Sequence, residues 1–329
     1  MILISQILLA LLLAGCSSLP AKDSAAGEQA EILTNKYQVI NLQKNFEQFW
    51  SVAKGKSFEV QLKSWNETVE NPYQDVYDVL VDSKQNNSDW PAKKEKRLRS
   101  FFSKIPGHYF AYQKLFMTFD QALERQIEKF TEKFPDTNFK KKIYAIPGAT
   151  FNGKSGEVGP QKETVLAFGI DIIDEYEDDI EVLFSHELFH LYHLEKLGDN
   201  PNSHITLQLW IEGLATYFSY VMNPNKSLEK ILMSAELTEV SQKDIRWMAR
   251  QFYKISDAKT IGGKQLDLAQ RWFRFGKTPR KGIPTRAGYL LGFEVVQEIA
   301  KKHSLQDMTS WNALRAHQEV KAMLGTLAR

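Results

Sequence analysis

The segment Ser185-His186-Glu187-Leu188-Phe189-His190 places two histidines four residues apart. Four residues make slightly more than one helical turn, so in a helix both imidazoles leave the same face and can meet one cation. Glu187 stands one step round from His186, beside such a cation rather than on it, where a carboxylate accepts a proton from water. Chance alone yields H-E-x-x-H in about one in a hundred chains of this composition, so the flanks must decide. Glu177, Asp178, Asp179 and Glu181 crowd the expected first turn, Lys196 sits in the last, and Gly198 with Pro201 gives the stop. The pattern predicts a helix with the motif at its middle.

Two histidines leave a catalytic zinc short of protein donors. The string Trp210-Ile211-Glu212-Gly213-Leu214-Ala215-Thr216-Tyr217 offers the third. A turn at Asp199-Asn200-Pro201 and an N-cap at Ser203 predict a second helix returning antiparallel across the first. Trp210, Ile211, Leu214, Ala215 and Phe218 give that helix its apolar surface, within which an unpaired Glu212 would be costly to bury. Metal ligation removes the cost. The expected site is therefore one Zn2+ held by His186, His190 and Glu212, with Glu187 as general base.

These two motifs, H-E-x-x-H and the E-x-x-A of Glu212 to Ala215, resemble the gluzincin clan of zinc metallopeptidases. That clan includes thermolysin-like proteases and the large aminopeptidases. The resemblance covers about residues 140–295 and is nearest to predicted zinc-dependent proteases of bacterial envelopes. Metzincins fit worse, because they require Gly where His193 stands and His where Lys196 stands. Thr216 occupies the place where thermolysin-like enzymes carry an Asp that orients a ligand histidine. Tyr289, in Pro284-Thr285-Arg286-Ala287-Gly288-Tyr289-Leu290-Leu291-Gly292, matches a string where related enzymes place a tyrosine that donates to the developing oxyanion. Core packing is the other reading of Tyr289, and Arg286 is a weaker candidate. The resemblance implies a zincin-like catalytic domain and a peptidase. No G-x-M-E-N string is present to hold a free N-terminus, which favours an endopeptidase over an aminopeptidase. The alternatives are a non-catalytic, zinc-containing envelope binding or chaperone module, and a zinc amidase acting on peptidoglycan.

The N-terminus addresses location. Ile2 to Gly15 is apolar apart from Ser5 and Gln6, too short to span a bilayer. Leu13-Ala14-Gly15-Cys16 resembles the bacterial lipobox, which implies a signal peptide over residues 1–15 and a lipidated tether over 16–36, acylated at Cys16. Ser17 after that cysteine implies the outer membrane, with the protein facing the periplasm. Expected partners are a peptide or protein substrate and the membrane. With 42 Lys and Arg against 40 Asp and Glu the formal net charge is +2, too little for the broad positive field of nucleic-acid binding. A single cysteine excludes an intrachain disulfide.

Along the rest of the 329 residues, apolar spacing predicts three to five helices over residues 37–135. Phe46, Phe49, Trp50 and Val52 form one cluster, and Tyr112, Leu115, Phe116, Phe119 and Leu123 another. The basic run Lys93 to Arg99 reads as a solvated face. Lys142 to Pro147 and Thr164 to Ile173 read as strands joined by a long glycine-bearing connection. Val165 to Ile172 reads either as an edge strand able to pair with extended substrate or as an ordinary buried strand. Helix returns beyond Asp174, with breaks at Gly198 to Pro201, Asn223-Pro224, Gly262-Gly263 and Gly276 to Pro284. The fold class expected is α+β, mostly helical, with a small β element and the metallopeptidase domain over 136–329. His193 is assigned a supporting or surface role, and His108, His204, His303 and His317 structural ones.

Overall fold

The structure, a computed structural model, describes residues 37–84, 88–197, 204–259 and 264–329. The leader, Cys16 and its tether, the stop at Gly198 to Pro201, Ser203 and Gly262-Gly263 lie outside them. The fold is α+β and mostly helical. Two compact units divide the described chain, one from residues 37–120 and 138–174, the other from 121–137 and 175–329. No helix among the described residues is long and apolar enough to cross a membrane.

The first unit opens with strand β1 (Gln38–Asn41), followed by α1 (Gln43–Ala53) and α2 (Phe58–Trp65). Irregular helical turns occupy residues 66–81. Helix α3 (Trp90–Lys133) runs 44 residues with Pro106 inside it, and contributes residues to both units. Strands β2 (Lys142–Ile146), β3 (Gly153–Val158) and β4 (Glu163–Gly169) complete a four-stranded sheet of order β1-β2-β4-β3. β1 pairs parallel with β2 from Gln38 against Lys142, and β2 parallel with β4. β3 pairs antiparallel with β4. Phe46, Phe49, Trp65, Phe101 and Phe102 pack as a ring cluster with centroids 5.2–6.4 Å apart; Trp50 is buried as expected, but Val52, read into the same cluster, is exposed.

Several expectations for this unit change. The run Thr164 to Ile173 is not one strand: β4 ends at Gly169 and the chain enters α4 (Ile170–Glu175) directly. β4 has neighbours on both sides, so it is an internal, buried strand and not a free edge for substrate. The glycine-bearing connection contains β3, and a strand stands at residues 38–41 where only helices were expected. Lys94 and Arg97 of the basic run are not simply solvated. They pair with the buried Glu70 and Asp82, while Arg99 lies 3.6 Å from the Phe58 ring centroid.

The second unit is built on α5 (Ile180–Leu197) and α6 (Ile205–Met222). The Asp179 carboxylate accepts from the backbone N–H of Glu181 and Val182, which caps α5 as the acidic lead predicted. α6 begins after an extended His204 and ends before Asn223-Pro224. Short α7 (Leu228–Leu232) and α8 (Ala235–Thr238) lead to α9 (Gln242–Lys254) and α10 (Lys264–Phe273). The loop at Gly276 to Pro284 precedes α11 (Ala287–Ala300), α12 (Leu305–Thr309) and α13 (Ala313–Leu327). α6 and α11 meet at glycines: a Cβ on Gly213 would stand 2.5 Å from the Gly292 backbone, and one on Gly292 would stand 2.7 Å from Leu209 O. The stacked indoles of Trp210 and Trp311, 5.0 Å apart, close the far side of α6.

Candidate metal centre

His186 and His190 come from one face of α5, as their spacing requires, and Glu212 from α6. Each is at most 8 % exposed. The two Nε2 atoms lie 2.9 Å apart, and Glu212 Oε2 is 3.5 Å from that of His186 and 3.4 Å from that of His190. A triangle of this size suits one cation about 2 Å from each corner. The donor set, two imidazoles and a carboxylate, is the one zinc takes in peptidases. Facing nitrogens with one carboxylate between them and no other partner are poorly satisfied without a cation, so the residues present fit zinc.

The electrostatics agree. Burial and the neighbouring His190 lower His186 to about 4. Burial also opposes charge on His190, but the Glu212 carboxylate outweighs it and raises the group. Glu212 is held well below the usual carboxylate range: burial pushes it up, and the two histidines more than reverse that. His186 and Glu212 are thus in the states a metal needs, neutral imidazole and ionised carboxylate, whereas Glu212 favours the protonated form of His190, whose proton a metal would displace.

Glu187 follows His186 on α5 and is partly exposed. Burial, with the Glu212 charge in the same direction, raises it to about 7, while His190 and Arg286 oppose the rise. Tyr289 enters from α11. Its ring lies 6.2 Å from that of His186, and its phenol lies within the field of the Glu212 carboxylate. Burial and the Glu212 charge raise its phenol well above the ordinary range. All five residues of the expected site therefore converge.

Behind the site, Ser185 Oγ donates to Gln126 Oε1 at 3.1 Å, and Asn223 Nδ2 donates to Ser185 Oγ at 2.9 Å. Gln126 from α3 and Asn223 after α6 thus fix the turn of α5 that carries His186. Sequence reading missed both, although a serine beside a ligand histidine on an apolar helix was a signal. Thr216 is spent on its own helix, donating to Glu212 O at 2.8 Å. Among the described residues the Nδ1 atoms of His186 and His190 have no hydrogen-bond partner, so none of these residues takes the place of the thermolysin-like orienting carboxylate. His193 is wholly buried and not at the surface, with its ring 5.4 Å from that of Phe189; burial lowers it to about 3.

The other histidines stand apart from the cluster. His108 pairs with Asp174 at 2.6 Å and His303 with Asp307 at 2.8 Å. His204 and His317 stack at 4.1 Å beside an open groove of about 620 Å³. Among the described residues a second acidic group, Glu70, Asp78 and Asp82, has metal-like spacing. Lys94, Lys84 and Arg97 each neutralise one of its carboxylates, which leaves no charge for a divalent cation to balance.

No curated protein and no solved structure matches the chain significantly. A family model described as "Predicted Zn-dependent protease (DUF2268)" matches residues 119–320, more than half of the chain. That span holds both ligand helices, Glu187 and Tyr289, and on this match the chain belongs to the DUF2268 family of predicted Zn-dependent proteases.

Proposed function

We propose that the protein is a gluzincin-type zinc peptidase of the bacterial cell envelope, anchored by lipid at Cys16 and cutting within peptide chains. The observation that carries the catalytic part is the buried triangle of His186, His190 and Glu212 with an acidic side chain, Glu187, beside it. A purely structural zinc site has no use for a base next to an open coordination position. Zinc held by the three ligands would supply Lewis-acid polarisation of the scissile carbonyl and of water.

The chain's own residues do the rest. Glu187, adjacent to the cluster and raised toward neutrality, accepts the proton of the attacking water and returns it to the leaving amine. Tyr289, beside His186, donates its hydroxyl to the carbonyl oxygen as that oxygen gains charge. Burial of the ligands excludes bulk water, which strengthens each of these interactions.

Purified mature protein should hold one zinc per chain by elemental analysis, and Glu212→Ala should lose it. Glu187→Gln keeps shape and hydrogen-bonding reach, so zinc content and Tm should match wild type while cleavage of unfolded protein falls about 10²–10⁴-fold. Equal cleavage by both would remove Glu187 from the mechanism. Zinc-loaded wild type that cuts neither unfolded proteins nor envelope peptides would favour a binding module.

A further inference from the structure

Arg286 precedes α11 with φ 61°, in the left-handed region that arginine seldom adopts. It is 6 % exposed. Its guanidinium lies 4.4 Å from the Tyr289 ring centroid and 4.8 Å from that of Phe275. Nη1 donates to Met233 O at 3.3 Å, and Nε has no hydrogen-bond partner among the described residues. Met233 is itself left-handed, at φ 49°.

A buried guanidinium is ordinarily stabilised by a carboxylate that takes both arms of its fork. This one meets a backbone carbonyl and two ring faces instead. Nothing in those contacts cancels its charge, which bears on His186, Glu187 and Tyr289. Stacked and almost fully buried, Arg286 has little reach toward an incoming peptide. Its influence passes through the Tyr289 ring and through its field. A fixed cation near a metal site is unfavourable for the metal and favourable for an anion that joins it. Peptide hydrolysis creates such an anion at the former carbonyl oxygen.

We propose that Arg286 is a positioning residue that clamps Tyr289 beside the His186, His190 and Glu212 cluster and supplies a fixed positive charge favouring an oxyanion at the metal position. The proposal rests on the reading of that cluster as a zinc site. It makes Arg286 a contributor to charge stabilisation that touches neither substrate nor metal.

The test is anion binding to the mature protein loaded with Co2+ in place of zinc, with inorganic phosphate as probe and the visible cobalt bands as readout. Arg286→Met should weaken phosphate binding about tenfold and leave cobalt affinity equal or tighter, because a like charge has been removed. Arg286→Lys keeps the charge and should retain most of the affinity. Arg286→Gly removes the charge while suiting the left-handed backbone, so it should reproduce the phosphate defect without loss of Tm. Unchanged phosphate affinity in Arg286→Met and Arg286→Gly would overturn the proposal, as would cobalt and phosphate affinities falling together with Tm, the mark of a merely structural residue. Wild type that takes up neither cobalt nor zinc would instead refute the zinc reading, and the proposal with it.

Discussion

Lys154 buries an ammonium group that donates to Leu80 O at 2.6 Å and lies 5.5 Å from the Phe151 ring centroid. Desolvation lowers it from 10.5 to about 8. Below pH 8 the amine is charged in folded and unfolded chains alike, and the cost of burying that charge is fully present. Between pH 8 and 10.5 the folded amine loses its proton first, so stability rises with pH across that window. Relative to Lys154→Met, wild type should therefore gain about 2 kcal/mol between pH 7.5 and 9.5, read from urea unfolding; a flat difference would place the amine in water. Sequence gave no hint of this residue, because its state depends on which groups pack around it. His186, Glu187 and His190 were legible for the opposite reason: helical spacing alone puts two of them on one face and the third beside it. Glu212 was legible through its cost, a carboxylate on an apolar helix. Arg286 carried no comparable pattern, since neither its left-handed backbone nor its two ring partners is written in nearby residues.

The contact between α6 and α11 sets where Glu212 and Tyr289 meet, and it depends on the absence of two side chains. Gly213 is next to Glu212 in sequence, and Gly292 stands three residues after Tyr289. Gly213→Ala would put a methyl group 2.5 Å from Gly292 backbone atoms, which neither helix can relieve by turning a side chain. The helices must part. Overpacking of this kind costs about 1–3 kcal/mol, and because the displaced backbone carries Glu212, zinc affinity should fall as well. Calorimetry and chelator competition would check both; an alanine variant matching wild type in each would show that the crossing is looser than drawn. α5 and α6 were readable in advance because long periodic helices announce themselves through caps and stripes. β1 and β3 were not. The four residues of β1 are too few for a period, and β3 begins Gly153-Lys154-Ser155-Gly156, a composition that reads as a turn. What makes each a strand is a partner elsewhere in the chain.

At the scale of the whole chain, zinc would act as a ligand of the folded state. Metal a hundredfold above its Kd adds about 2.7 kcal/mol, so stripping with a chelator should lower Tm by several degrees and repletion should restore it; an unchanged Tm would argue against a site formed only on folding. The proposed anchor has its own check, since Cys16→Ser should leave unprocessed precursor, and normally processed, still acylated protein would end that reading. The sheet order has a further consequence, for the timing of folding. β1 takes its first partner from Lys142 to Ala145, across α1, α2 and the whole of α3, and the sheet is complete only once β4 has been made at Gly169. Pairings so distant in sequence form late, because loop-closure entropy must be met before they stabilise anything. Whenever the chain emerges N-terminus first, from a ribosome or a translocation pore, Gln38 to Asn41 must wait as an unpaired edge until more than a hundred further residues have followed. During that interval it is open to the wrong strand, and a holdase that shields it would raise the yield of native protein without touching the finished fold.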